Sequence, residues 1–242
     1  MIFQKHKIEW TPEKISRLWD YYSTNPSYHG YYFGFQASKA VAKEIQRRIH
    51  FKKLHNILDF SCGLGDLIQA CSTYLRPGQN IYGVDFSENS VKATQTRFIN
   101  NPSFQGAILL KSFPSVFHDE FFDLIMSTEV IEHLSETEFN QMLIEANRLL
   151  KNNGYIFLTT RNRENLKANE ILCPECGCIF HRWQHLRTWD RFQLDQAVTK
   201  FGFETVTSEP ISWRWPLLRK ILFYKEPKGL LYVGRKTSPF SP

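Results

Sequence analysis

The feature of the sequence that most constrains the fold is a strand, a glycine loop and a helix in direct succession. The apolar run Asn56–Phe60 stops at Cys62-Gly63-Leu64-Gly65, and a helical pattern of apolar residues continues to about residue 75. Further apolar runs alternate with helical patterns at 81–85, 107–110, 122–126, 155–159, 205–207 and 230–233. This alternation predicts an α/β fold with a doubly wound, mostly parallel sheet of seven strands. Ligands of such sheets bind at the carboxyl ends of the strands.

The composition is typical of one globular domain with insertions. The chain has 242 residues, of which 42% are hydrophobic, enough for a large buried core. No apolar run approaches the ~20 residues that span a bilayer, and the N-terminus lacks the apolar core of a signal peptide. We therefore expect a cytoplasmic protein without a transmembrane segment. Its five cysteines should be thiols or metal ligands rather than disulfides.

The sequence divides into three regions. Residues 1–54 have a helical pattern, many aromatic residues and no clear strand, so we expect them to form a helical cover. Residues 55–235 contain the seven strands and form the main domain. An insertion rich in cysteine and histidine, residues 161–188, follows the fifth strand and should lie at the ligand-binding edge of the sheet. A segment at 213–223, apolar with interspersed cations, is expected to pack as a lid helix.

The charges are distributed unevenly along the chain. Residues 1–60 contain ten basic and five acidic residues, residues 61–160 contain six and eleven, and residues 161–242 contain fourteen and eight. The acidic middle suits a cationic ligand, and the basic flanks favour an anionic substrate. A solvated surface of uneven composition explains the same distribution without either ligand.

The glycine loop narrows the choice of cofactor. A dinucleotide-binding loop has a third glycine, which allows close helix packing, at the position of Ile68 in this chain, so NAD and FAD are disfavoured. Asp85 ends the second strand, where a carboxylate accepts hydrogen bonds from both ribose hydroxyls. Asp59 lies just before the glycines, where it can face a cationic amino-acid group. A ligand with ribose and ammonium but no phosphate is S-adenosylmethionine.

The sequence resembles the seven-stranded S-adenosylmethionine-dependent methyltransferases in four segments that occur in the family's order. They are ILDFSCGLG, IYGVDFSENSV, FDLIMSTEVIEHL and LKNNGYIFLTT. The resemblance covers roughly residues 55–235 and implies a Rossmann-like methyltransferase fold with S-adenosylmethionine as cofactor. It implies cofactor contacts from nine residues, namely Asp59, Ser61, Gly63, Gly65, Asp85, Phe86, Ser112, Phe113 and Thr128. N-terminal helices of the family often close over the cofactor, which makes Tyr22, Tyr32 and Phe33 candidates for the cover.

A second constellation follows the fourth strand. Glu129, Glu132 and His133 stand at i, i+3 and i+4, so one helical turn would place them on one face. The segment EVIEH is similar to one in the ubiquinone-pathway O-methyltransferases and in the small-RNA ribose methyltransferases. In both groups it can bind a metal beside the acceptor hydroxyl, and His185 would then be a further ligand. The alternative is a hydrogen-bonded pocket without metal, in which His133 is the general base and Glu129 or Glu132 orients it.

The stretch CPECGCIFHRWQH predicts a zinc site. Its spacing, C-x2-C-x4-H-x3-H, offers Cys173, Cys176, His181 and His185 as four ligands, with Cys178 as a substitute. Such a closed site would be structural and would staple the insertion as a lid over the acceptor pocket. Free thiols in a packed loop are the alternative. The zinc site and the carboxylate site compete for His185, and His181 and His185 are also reserve candidates for the general base.

Three functions are consistent with these observations. The leading hypothesis is methyl transfer from S-adenosylmethionine to a small-molecule acceptor, most simply a hydroxyl group on an anionic or apolar compound. The second is a ribose 2′-O-methyltransferase acting on RNA, which is disfavoured because the sequence has no separate RNA-binding module. The third is a non-catalytic partner protein that binds S-adenosylmethionine.

Overall fold

The computed structural model describes residues 3–213 and 226–240. Ten strands and seven α-helices lie within these ranges. The strands are β1 His6–Lys7, β2 Asn56–Phe60, β3 Asn80–Asp85, β4 Phe104–Leu109, β5 Phe122–Thr128, β6 Leu150–Arg161, β7 Glu170–Leu172, β8 Cys178–His181, β9 Phe203–Ile211 and β10 Gly229–Lys236. The helices are α1 Pro12–Thr24, α2 Pro26–His29, α3 Phe33–Arg48, α4 Asp66–Ser72, α5 Glu88–Phe98, α6 Glu136–Leu149 and α7 Arg191–Thr199.

The main sheet has seven strands in the order β4-β3-β2-β5-β6-β10-β9. The first five strands are parallel to one another, whereas β10 is antiparallel to both β6 and β9. The predicted doubly wound, mostly parallel seven-stranded sheet is therefore confirmed. The order reverses beside β2, because β3 and β5 lie on its two sides, and this switch point is where such sheets bind ligands.

Apolar residues cover the main sheet on both faces. On one face, Ile57 of β2 belongs to a buried cluster with residues of α3, α4 and α5. On the other face, Leu58 belongs to a second cluster with residues of α6 and α7. Both side chains are fully buried. Successive side chains of a strand point to opposite faces, so a strand covered on both sides appears in the sequence as the continuous apolar run from which it was predicted.

The helix beginning after Ser135 is positioned by its own sequence. The Ser135 hydroxyl accepts a hydrogen bond from the Glu138 backbone N–H, and the Glu138 carboxylate accepts one from the Ser135 N–H. These two hydrogen bonds form a capping box, which fixes the start of the helix. Asp190 and Gln193 form a second capping box at the start of α7.

A small second sheet joins the N-terminus to the insertion. Its strand order is β1-β8-β7, with β1 parallel to β8 and β7 antiparallel to β8. The expectation of no strand in residues 1–54 is therefore wrong. Because β1 has only two residues and its partner lies about 170 residues away, its local sequence pattern is too short to reveal it.

No helix in the described part of the chain is long and apolar enough to cross a membrane. Of the lid helix predicted at 213–223, all but Trp213 lies outside the described residues.

Candidate active site

A cavity of about 900 Å³ opens at the carboxyl ends of the parallel strands. Its floor comes from the loops that follow β2, β3, β4, β5 and β6, and its cover comes from α1, from the start of α3 and from the insertion. The floor includes Asp59, Ser61, Gly63, Asp85, Phe86, Lys111, Phe113, Thr128, Glu129, Glu132, His133 and Arg161. The cover includes Trp19, Tyr22, Tyr32, Phe33, Trp183, Gln184 and His185. This is the edge of the sheet at which the sequence predicted that ligands bind.

The two glycines of the loop after β2 have different roles. Gly63 has a φ of +51° and borders the cavity, and a Cβ at this position would meet no atom within 4 Å. The absent side chain therefore leaves the backbone open to a ligand. Gly65 has a φ of +80° and does not border the cavity, and a Cβ there would lie 2.5 Å from Cε2 of Phe98. Gly65 thus allows the loop to pack against α5, and its predicted contact with the cofactor stays a prediction.

Asp85 holds the same loop in place. Its Oδ2 accepts a hydrogen bond of 2.8 Å from the Gly63 N–H, and its Oδ1 accepts one of 2.9 Å from the Ser87 N–H. Burial raises the pKa of the carboxyl, and these backbone hydrogen bonds partly oppose the shift.

The carboxyl of Asp59 is buried, and no cationic side chain is among the main causes of its pKa shift. Its residue exposure is 2%. Burial, followed by the charges of Asp85 and Asp66, raises its pKa to about 8. A cationic ligand group in the cavity would stabilise the ionised carboxylate, because an opposite charge offsets both causes. This is the environment expected of a group that receives an ammonium.

Aromatic rings border the adjoining part of the cavity. Phe86 is 51% exposed, although it is a large apolar side chain at the end of β3. The Phe113 ring stacks on the Phe60 ring with centroids 6.3 Å apart and planes 9° apart. An adenine ring would cover the exposed face of Phe86. Ser112, also predicted to contact the cofactor, does not border the cavity.

The Glu129–His133 segment is a turn rather than the predicted helical turn. Glu129 has a φ of +52°, and the His133 N–H bonds to the Val130 carbonyl at 2.9 Å. Glu129, Glu132 and His133 all border the cavity nevertheless. The left-handed conformation at Glu129 explains the difference, because it ends β5 abruptly and prevents a helix from continuing the strand.

These three side chains carry buried polar atoms with unmet hydrogen-bonding capacity. Oε1 of Glu129, Oε1 of Glu132 and Nδ1 of His133 have no partner within the described ranges 3–213 and 226–240. Burial raises the pKa of Glu129 to about 7, although the nearby Arg161 charge lowers it. Burial, and then the Glu129 charge, raise the pKa of Glu132 well above its usual range. Burial lowers the pKa of His133 to about 3, and the neighbouring His185 acts in the same direction.

Glu164 is a site residue that the sequence reasoning missed. Its carboxylate hydrogen-bonds Nδ1 of His185, and its Oε1 lies 3.7 Å from Nε2 of His181. Burial raises the Glu164 pKa, but the His185 hydrogen bond and charge outweigh it, so the net pKa is lowered. The signal available in the sequence was the polar run Asn162-Arg163-Glu164-Asn165 directly after the fifth strand, where site residues of such sheets collect.

The structure brings His181 and His185 together with carboxylates, and not with the predicted cysteine ligands. Two groups have ligand atoms within 4.8 Å of one another: Glu132, His133 and His185, and Glu164, His181 and His185. Within the described residues, neither group includes a cysteine. Cys173 and Cys176 lie at the turn of the β7–β8 hairpin, while β8 carries His181 roughly 10 Å away at ~3.3 Å per residue. The predicted set Cys173, Cys176, His181 and His185 is therefore not assembled.

Helix α1 and the insertion meet above these residues. Nε1 of Trp19 donates a 3.1 Å hydrogen bond to Oε1 of Gln184, whose Nε2 donates to the His133 carbonyl at 2.9 Å. The Trp19 ring lies edge-on to the His133 ring, with centroids 5.1 Å apart. The Tyr22 hydroxyl donates to the Arg182 carbonyl. The N-terminal cover is thereby linked to the group around His133 by direct contacts.

Comparison with known proteins gives a consistent result. A family model described as a methyltransferase domain matches residues 32–208. The chain is 30% identical over 158 residues to a ubiquinone biosynthesis O-methyltransferase of Pelagibacter ubique, an alignment covering 63% of this chain and 62% of that protein. It is 27% identical over 150 residues to a demethylmenaquinone methyltransferase of Staphylococcus carnosus, covering 62% and 60%. The chain thus spans about 60% of the length of these relatives.

Among solved structures, the fold is similar to that of the PH0226 protein from Pyrococcus horikoshii. The TM-score is 0.66 and the sequence identity 19%, and the match covers 90% of this chain and 98% of that one. This likeness supports the fold alone.

Proposed function

Because the chain belongs to the methyltransferase-domain family, we propose that it transfers a methyl group from S-adenosylmethionine to a hydroxyl group of a small molecule. The observation that carries the proposal is the continuity of one cavity. That cavity joins the Gly63 and Asp85 loops to the His133 group beneath an aromatic cover. It therefore has a part suited to the cofactor and a part suited to an acceptor.

The residues at the glycine-loop end fit S-adenosylmethionine. Gly63 leaves its backbone open, Asp85 offers a carboxylate for ribose hydroxyls, and Phe86 offers an exposed ring for adenine. Asp59 is a buried carboxyl that a cationic amino-acid group would stabilise in its ionised form. When bound, this cofactor supplies a methyl group that its sulfonium has already activated. The protein then needs to hold the acceptor in line and accept its proton.

The residues at the other end of the cavity suit proton removal from a hydroxyl. Burial holds His133 uncharged at neutral pH, so one ring nitrogen keeps a free lone pair. The same low pKa makes this nitrogen a weak base, so proton removal requires a neighbouring carboxylate to stabilise the protonated ring, as the Glu164 charge does in part. His185 lies against His133, with ring centroids 4.8 Å apart, and is held by Glu164. We assign His133 as the general base. Glu129 or Glu132 is the carboxyl that orients its ring. Trp19 and Gln184 of the cover contact His133 directly.

The same group also fits a divalent metal ion. Glu132, His133 and His185 offer one oxygen and two nitrogens within 4.8 Å of one another, and the unpartnered Glu132 Oε1 and His133 Nδ1 are buried. Such an ion would polarise the acceptor hydroxyl. A chelator separates the two mechanisms, since only a metal-assisted reaction would lose activity after chelation and regain it on metal addition.

The acceptor that best suits the cavity is a small molecule with a flat apolar body. Trp19, Tyr22 and Trp183 border the cavity and provide an aromatic wall. The two curated relatives are named for ubiquinone and menaquinone synthesis, which favours a ring hydroxyl or a ring carbon as the acceptor atom. A hydroxyl is favoured here because histidines and carboxyls surround the acceptor end.

An acceptor panel tests the proposal. Purified protein is incubated with S-adenosylmethionine and with catechols, phenols, quinols or short RNA, and products are identified by mass spectrometry and NMR. We expect a methyl ether on a ring hydroxyl. Methylation of a ring carbon or of RNA ribose would contradict the hydroxyl and small-molecule parts of the proposal, respectively.

A further inference from the structure

Three of the five cysteines lie outside the cavity and serve no part of the proposed reaction. Cys173, Cys176 and Cys178 are free thiols at the turn between β7 and β8, and none of them borders the cavity. Cys176 is exposed, and the other two are half-buried. Three exposed or partly exposed thiols within six residues are an oxidation hazard unless something binds them.

The register of the small sheet places a histidine beside these cysteines. Leu172 pairs with Ile179 across the β7–β8 hairpin, and the Cys173 N–H donates a 2.8 Å hydrogen bond to the Cys178 carbonyl. Cys173 and Cys178 are thus opposite each other at the end of the hairpin. His6 is the partner of Cys178 in the parallel pair of β1 and β8.

Residues opposite one another in neighbouring strands point to the same face of a sheet. His6, Cys178 and Cys173 therefore form one row across three strands. This row contains an imidazole and two thiols, and it lies on a sheet too small to have a core of its own.

The turn directs the remaining cysteine toward this row. The Gly177 N–H donates a 3.0 Å hydrogen bond to the Cys173 carbonyl, which closes the segment Cys173–Gly177 into a tight loop. Gly177 has a φ of +76°, and a Cβ there would lie 2.4 Å from the Gln4 carbonyl oxygen, so the turn packs directly against the strand that carries His6. Backbone N–H groups of Cys176 and Glu175, together with the Cys176 thiol, hydrogen-bond the Cys173 side chain.

We propose that His6, Cys173, Cys176 and Cys178 together bind one zinc ion. Three thiolates and one imidazole are a ligand set of closed, four-coordinate structural zinc sites. The set differs from the one that the spacing predicted, because His6 and Cys178 replace His181 and His185. In the present arrangement no three ligand atoms of these four described residues lie within 4.8 Å of one another, and the His6 Nδ1 faces the Gln4 carbonyl at 3.3 Å. Metal binding therefore includes rotation of the exposed His6 and of the cysteine side chains toward a common centre.

The site would fasten the N-terminus to the insertion. Helix α1 begins six residues after His6, and it carries Trp19 and Tyr22 to their contacts with Gln184 and Arg182. The ion would therefore hold both parts of the cavity cover together through ligands from β1 and from the hairpin. We call the proposed zinc site of His6, Cys173, Cys176 and Cys178 the clip. The clip does not depend on the methyl-transfer proposal.

Metal analysis of the purified full chain tests the clip. Protein produced with zinc in the medium and purified without chelator is expected to contain about one zinc per chain by mass spectrometry of the metal. Cys173→Ser, Cys176→Ser and Cys178→Ser should each lose most of it, and His6→Ala should lower the content or speed its loss to a chelator by at least tenfold. His118→Ala, an exposed histidine outside the clip, is the matched control and should keep the metal.

A second readout identifies the ligands without relying on folding yield. Cobalt replacing zinc should give the intense thiolate-to-metal absorption of a three-cysteine site, and this absorption should fall stepwise in the cysteine variants. Circular dichroism should show the main sheet unchanged in each variant. Wild-type protein without metal, or with a Cys173–Cys176 disulfide, would overturn the proposal. Loss of zinc in His181→Ala with full retention in His6→Ala would overturn the assigned ligand set.

Discussion

Nδ1 of His185 hydrogen-bonds the carboxylate of Glu164, and this contact determines which ring nitrogen of His185 remains free. When Nδ1 carries the hydrogen, Nε2 keeps its lone pair on the side of the ring away from Glu164. His181 supports the arrangement, since its Nδ1 accepts hydrogen bonds from the backbone N–H groups of Trp183 and His185 at 3.3 and 3.1 Å. Its Nε2 must then carry a hydrogen, and this nitrogen lies toward Glu164.

Glu164→Gln should therefore impair the reaction more than it impairs cofactor binding. The glutamine amide oxygen can still accept the His185 hydrogen, but it carries no negative charge to stabilise the ring in its protonated form, and this loss should cost about tenfold to a hundredfold in kcat. Steady-state kinetics and calorimetry with S-adenosylmethionine measure the two effects. Glu170→Gln, an exposed carboxylate of the same insertion, is the matched control. Equal losses in both variants would remove Glu164 from the site.

His133→Ala should slow methyl transfer by about a hundredfold or more, because general-base catalysis contributes typically 10²–10⁴. The dissociation constant of the cofactor should change little, since His133 lies at the acceptor end of the cavity. His118→Ala should behave like wild type. A His133→Ala variant with full turnover would make His133 a packing residue beneath Trp19.

Asp85→Ala should weaken binding of S-adenosylmethionine and of its demethylated product alike. Loss of hydrogen bonds to a charged group costs about 1.5–3 kcal/mol, or roughly tenfold to a hundredfold in Kd. Asp85 also holds the Gly63 loop, so Asp85→Asn, which keeps the size of the side chain, should be tested in parallel. Asp119→Ala, at the surface, is the control. Unchanged affinity in both Asp85 variants would exclude it as a cofactor ligand.

The buried Asp59 should make stability depend on pH in a defined direction. Its pKa is raised from 3.8 to about 8 on folding, so the folded protein binds the proton more tightly than the unfolded chain does. Its contribution to stability is complete below about pH 4 and is lost as pH rises toward 8, with a slope of about 1.4 kcal/mol per pH unit. Urea unfolding of the ligand-free protein between pH 5 and 9 measures this slope.

Asp59→Asn should reduce that slope by about 1.4 kcal/mol per pH unit, while the raised pKa values of Glu129 and Glu132 still contribute in the same direction. The surface substitution Asp119→Asn should leave the slope unchanged. A wild-type protein whose stability rises from pH 5 to 8, with the same slope in Asp59→Asn, would contradict the assignment.

The main sheet could be predicted from the sequence because each of its elements is recognisable from residues that are neighbours in the chain. Each buried strand is a continuous apolar run, and the Ser135–Glu138 capping box identifies the start of α6 within four residues. The glycine loop likewise identified Asp59, Gly63 and Asp85 as neighbours, since the carboxyl ends of parallel strands share one edge.

Features that depend on distant contacts were missed or misassigned. Strand β1 exists only through its pairing with β8, and Glu164 acquires its role only where His181 and His185 fold back upon it. The regular spacing of the cysteines and histidines suggested one site, but the extended β8 separates them into two groups. The close approach of Phe98 to Gly65, which leaves no room for a side chain there, likewise depends on a distant contact.

The most direct test of the account is a calorimetric titration of the purified chain with S-adenosylmethionine. We expect one binding site per chain with a Kd in the micromolar range, about −8 kcal/mol, and similar affinity for the demethylated product. Absence of binding by correctly folded wild-type protein would contradict the assignment of the cavity as a cofactor site.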